Sequence, residues 1–180
     1  MSCRCQLRFT EEESEYASQV FRHSYGNPEN VLSNLDHLKR LLQVTMAKRT
    51  AAYTAAQFVF VDKLWSLEQS FRDKSGSYNE SPKSVAEVLK VDSWKECSPT
   101  PSYLLGHGVE DPASGIHGDE DFLYVVEVSD TKYLDWRVKI AGRDDFPRDS
   151  REETERAFEL ADWRFEGTLE EGLAKVEGKR

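Results

Sequence analysis

The chain has 180 residues, 33 Asp or Glu against 24 Lys or Arg, and a formal charge of −9. Its length allows one sizeable core, or a small domain with a helical appendage. No block of Lys and Arg stands out, so nucleic-acid binding is disfavoured, because neutralising phosphates takes clustered cations, and apolar runs such as 58–61 and 123–126 fall far short of the roughly 20 residues that span a bilayer.

Residues 3–9 alternate Cys3, Cys5, Leu7 and Phe9 with Arg4, Gln6 and Arg8, which predicts a short strand with one buried face. No apolar stretch follows these basic residues, so the N-terminus does not read as a signal peptide and the chain as written reads as cytoplasmic. Thr10 followed by Glu11, Glu12 and Glu13 has the chemistry of a helix start, a hydroxyl cap with negative charge on the positive end of the dipole. The expected helix covers 11–24, with Tyr16, Ala17, Val20 and Phe21 inward and Gly26 and Pro28 ending it.

Residues 29–75 contain neither glycine nor proline. One helix of that length would extend roughly 70 Å, against a radius of gyration of about 16 Å for a compact chain of this size, so the segment is either a long helix or a helical hairpin. Val31, Leu35, Leu38, Leu42 and Thr45 form one apolar stripe. Tyr53, Ala56, Phe60, Leu64, Leu67 and Phe71 form a second. The polar, small-residue stretch 46–52 between them is where a break fits best. A second apolar stripe beyond what one core needs points to a surface for a partner helix or a second copy, carried by Tyr53, Phe60, Leu64, Leu67 and Phe71.

A shorter helix is expected over 81–89, with Pro82 in its first turn, and residues 98–121 have loop chemistry. Residues 122–128 and 133–140 predict a hairpin. In the second strand Leu134, Trp136, Val138 and Ile140 alternate with Asp135, Arg137 and Lys139. Ser150 and Glu153 form a capping box that opens a helix after the charged linker at 143–149. The reading is therefore α+β: long or hairpinned N-terminal helices on a small antiparallel sheet (103–140) make one domain over 1–142, and 143–180 adds a charged linker, charged C-terminal helices and a frayed end.

Two loop features have candidate chemistry. Glu110, Asp111, Asp119 and Asp121, among glycines, offer the several oxygen ligands that calcium takes on a flexible loop, although their spacing is not that of an EF-hand. His107 and His117 lie beside them, so a small metal-assisted hydrolase using both histidines and the acidic loop at 110–121 is the alternative to a non-enzymatic structural or interaction protein. No nucleophile elbow, phosphate-binding loop or His-Glu-x-x-His motif is present. Cys3, Cys5 and Cys97 are too few and too oddly spaced for a disulfide framework or a four-ligand zinc site.

Leu64, Trp65 and Phe71 leading into Asp73, Gly76 and Tyr78 resemble the junction in type IV pilins and pseudopilins, where a long helix ends in a glycine- and tyrosine-bearing turn. Tyr103, Gly106 and Gly108, followed by Glu110, Asp111, Gly115, Gly118 and Asp121, are similar in spacing to the calcium loop of the major pseudopilins of type II secretion. The resemblance covers at most residues 45–140. It implies an antiparallel head sheet packed on the helix, a bound calcium and an assembly subunit, while residues 1–46 hold a strand and charged helices in place of a prepilin's apolar start.

Overall fold

The computed structural model describes residues 3–11, 14–45, 50–72, 106–129 and 135–178. The chain opens on strands. β1 (Cys5–Glu11) pairs antiparallel with β2 (Ser14–Arg22), so most of the stretch 11–24, expected as a helix, is strand. Tyr16 and Val20 are four apart, a spacing that is even and therefore fits the two-residue period of a strand as well as a helical turn. Tyr16 is exposed while Val20 and Arg22 are buried on the face that meets the helices.

The glycine-free segment is two helices, α1 (Pro28–Thr45) and α2 (Ala51–Arg72), with the second returning against the first. The single helix over 29–75 is thus replaced by the hairpin alternative, with the break inside the 46–52 stretch. Neither helix is N-terminal, since two strands precede them. The helix expected over 81–89 lies outside the described residues.

Four further strands complete the sheet: β3 (His107–Glu110), β4 (Phe122–Val128), β5 (Arg137–Gly142) and β6 (Phe165–Thr168). The order is β3-β2-β1-β4-β5-β6. All neighbours are antiparallel except β1 and β4, which run parallel from Cys5↔Phe122 to Glu11↔Val128, so the sheet is mixed and larger than the antiparallel one expected over 103–140. After Gly142 the chain forms α3 (Arg151–Glu155), α4 (Ala157–Leu160) and, following β6, α5 (Leu169–Glu177). The Ser150 capping box is present as predicted. Within the stretch expected to fray, Phe165–Thr168 is an edge strand and Leu169–Glu177 a capped helix.

Strand alternation divides the molecule into layers. Cys5, Leu7, Phe9, Val20, Tyr124, Val126, Trp136 and Val138 face α1, α2 and α5 and are buried with Leu32, Leu35, Leu38, Phe58 and Leu169. On the opposite face Leu123 and Ala141 pack with Ile116, Phe146, Ala157 and Phe158. The guanidinium of Arg8 lies 4.0 Å above the Phe158 ring on that second face. Gly26 lets the chain pass over β1: a Cβ there would stand 2.8 Å from Cys5 Cβ and 2.9 Å from the Arg4 carbonyl carbon. No helix among the described residues is long and apolar enough to cross a membrane.

Candidate functional site

The outward side of the α1–α2 hairpin carries the second apolar stripe. Tyr53, Phe60 and Leu64 are 41%, 58% and 44% exposed. Leu41 and Val44 of α1 extend this surface at 41% and 82% exposed. The side chains of Leu67 and Phe71 lie outside the described residues. The stripe that α2 buries is a different one, Ala51, Thr54, Ala55, Phe58 and Val61. Beside Leu64 a groove of about 190 Å³ runs between the helices, lined by Ser33, Asn34, His37, Leu41, Val61 and Trp65 as well. Its mixture of aliphatic, aromatic and amide groups suits an apolar side chain with one polar end.

Beneath this hairpin is a buried polar cluster that sequence reasoning missed. Arg22 of β2 and Asp62 of α2 are both fully buried and 2.9 Å apart. Asp62 also accepts from the amide of Asn34 on α1 and pairs with Nε2 of His107 on β3. The register explains the meeting, because Arg22 and His107 are direct partners across β2 and β3 and point to the same side. Trp65 covers the guanidinium, its ring centre 5.5 Å away. One carboxylate thus joins two helices and two strands. Arg22 Nε and Nη1 and His107 Nδ1 have no hydrogen-bond partner among the described residues. No short sequence pattern marks such a cluster, whose members are 40 or more residues apart except for Asn34.

His117 lies on the other side of the sheet. Its ring stacks on Phe21 at 4.5 Å between centres, and Phe21 alternates with Arg22. The two histidines therefore face opposite layers and do not share a pocket. His117 pairs with Glu110, whose second oxygen accepts from the buried Gln6 amide at 2.6 Å.

The acidic loop is fastened to the back of the sheet. Gln19 donates to the Gly115 carbonyl at 2.6 Å, Arg8 donates to the Pro112 carbonyl at 3.0 Å, and Gln6 accepts from the His117 N–H at 3.1 Å. Gly115 has φ +76, and a Cβ there would lie 2.5 Å from the Thr154 carbonyl oxygen, so the loop is seated against α3 through a residue that must be glycine. The candidate ligands are engaged elsewhere: Asp111 caps the following turn by accepting from Ala113 N–H, Asp119 pairs with the Arg4 guanidinium, and Asp121 accepts from the Arg4 N–H at 3.0 Å and faces Arg143. Glu110, Asp111, Asp119 and Asp121 do not converge. Among the described residues no group of three or more His, Cys, Asp or Glu is placed to hold a metal ion.

Glu120, in the same loop, is fully buried with neither carboxylate oxygen hydrogen-bonded among the described residues. Burial raises its carboxyl above the usual range, against the opposing pull of nearby backbone N–H groups and His117. Folding therefore favours the protonated acid: the group costs nothing below the ordinary glutamic acid range, and its penalty grows as the pH rises from there and is complete above the raised value. Glu120→Gln is expected to be more stable than the parent at neutral pH by about 1–2 kcal/mol, with the advantage vanishing as the pH falls toward about 4. Thermal melts of both proteins across that range provide the check.

Cys3 and Cys5 add no reactive centre. They are free thiols, and burial pushes both up, so neither is held as a thiolate. Cys97 lies outside the described residues. Trp136 is core, and Trp163 packs near Phe158. Compared with known proteins, the chain matches no family model, no curated protein and no solved structure.

Proposed function

We propose that this is a non-enzymatic interaction protein that binds a partner through the outward face of the α1–α2 hairpin. The observation that carries this reading is the exposure of Tyr53, Phe60 and Leu64 in one stripe, joined by Leu41 and Val44. Single apolar side chains on a surface are ordinary, whereas a contiguous set beside a groove marks a place that another surface covers. The buried Arg22–Asp62 pair supports it by fixing α2 on the sheet, so that the face is presented by a rigid helix. A pilin-like assembly subunit is the sharper form of the idea. The broader form is preferred because residues 28–45 and 51–72 form a hairpin of two helices packed on a mixed sheet and not one long helix.

The decisive variant is Leu64→Glu. It is expected to melt close to the parent, since surface substitutions usually change stability by no more than about 0.5 kcal/mol, and to lose association. Association is read by sedimentation for self-assembly and by affinity capture, parent against variant, for a different protein. A variant that unfolds would make the stripe ordinary core, and identical association by parent and variant would remove the face from the function.

A further inference from the structure

Every exposed residue of α2 between Ala51 and Trp65 is uncharged: Ala52, Tyr53, Ala56, Phe60 and Leu64. This is a conspicuous gap in a chain of which 32% is charged. Small and large residues also follow a definite order along it. If two α2 helices lie antiparallel about a two-fold axis level with residue 58, positions equally far before and after that residue stand opposite each other. Ala56 then faces Phe60 of the second copy, Ala52 faces its Leu64, and Tyr53 faces its Lys63. Each large apolar group meets an alanine or, for the tyrosine ring, the long stem and ammonium of a lysine. A parallel two-fold pairing would instead set Phe60 against Phe60 and Ala56 against Ala56, leaving crowding at one level and a gap at the next.

Resting on the reading of this face as an interaction surface, we propose that the partner is a second copy of the chain, with α2 packed antiparallel on α2 in an isologous dimer. Self-complementarity under a two-fold axis is what such an interface requires. Charge points the same way. Two copies that each carry a net −9 repel, and contact is least opposed through a face without carboxylates. The arrangement also sets Tyr53 of the second copy level with the end of the groove that Leu64 and Trp65 line.

The test uses the full chain in sedimentation equilibrium with two single variants, Phe60→Glu and Ala56→Lys, whose melting temperatures establish that each is folded. The parent is expected to dimerise. Each variant alone buries a charge against an apolar group of its twin and should dimerise roughly 100-fold more weakly. Mixing the two should restore a heterodimer to within about tenfold of the parent, because the introduced carboxylate then meets the introduced ammonium while the other Ala56–Phe60 contact stays native. Should either variant fail to fold, Ala52→Glu mixed with Leu64→Lys tests the same geometry one turn outward. Weak variants without recovery on mixing overturn the antiparallel pairing and leave the face in use. A parent that stays monomeric to millimolar concentration overturns the second copy as partner, and the capture comparison with Leu64→Glu then decides the broader reading separately. Variants that dimerise as the parent does place the contact elsewhere and overturn the proposal.

Discussion

Replacing Asp62 with alanine is expected to cost about 3–5 kcal/mol, a large part of the roughly 5–15 kcal/mol that holds a domain folded. The size follows from what is left behind. Arg22 is fully buried, and Asp62 is the one carboxylate with which it forms an ion pair among the described residues. Without it a guanidinium remains in the interior with no counter-charge, and Asn34 and His107 lose the oxygens they bind. Urea denaturation followed by circular dichroism should show a lower midpoint with an unchanged slope. The double variant Arg22→Met, Asp62→Leu should be more stable than Asp62→Ala, because it buries no charge at all. A loss below about 1 kcal/mol for Asp62→Ala would mean that water reaches the cluster.

The second large effect contrasts two phenylalanines two residues apart in α2. Phe58 is fully buried, its ring 5.7 Å from that of Phe9, and Phe58→Ala should cost about 3–5 kcal/mol through lost transfer energy and the cavity that remains. Phe60 is 58% exposed. Phe60→Ala should change the stability of the dilute protein by no more than about 0.5 kcal/mol, while weakening association. Urea midpoints at low protein concentration separate the two, and equal losses would mean that both faces of α2 are covered within the chain.

Much of this architecture is legible in the chain where a pattern excludes its rivals. Cys5, Leu7 and Phe9, and Trp136, Val138 and Ile140, alternate too strictly for a helix, and strands are found there, shifted toward the C-terminus to Cys5–Glu11 and Arg137–Gly142. Ser150 with Glu153 has one reading as a capping box. Thr10 with its glutamates does not, since the same polar residues suit the end of a strand as well as the start of a helix. In α2 the difficulty is different. Phe58 and Phe60 are equally apolar, and only the position of β1 and β2 decides which one turns inward. The site was least legible. Arg22 reads as a surface cation until β2 is known to be a strand and α2 to cross it, because its partner arrives from 40 residues away. His107 and His117 look like neighbours in sequence, yet the alternation at Phe21 and Arg22 sends them to opposite faces.

The parallel pairing of β1 with β4 has a consequence for synthesis of the chain. β1 is interior to the sheet, but only its β2 side can be satisfied early, by a local hairpin. The other side waits for β4, whose Val128 is made 117 residues after its partner Glu11. At roughly 5–20 residues per second that delay is about 6–23 s. Throughout it the N–H and C=O groups along one edge of an apolar strand are open to any other strand nearby. Closing so long a loop also demands chain entropy before any contact rewards it. The early helical hairpin can shield the face of β1 during this interval, but not its edge, so the nascent chain is most exposed to mispairing before residue 128 emerges.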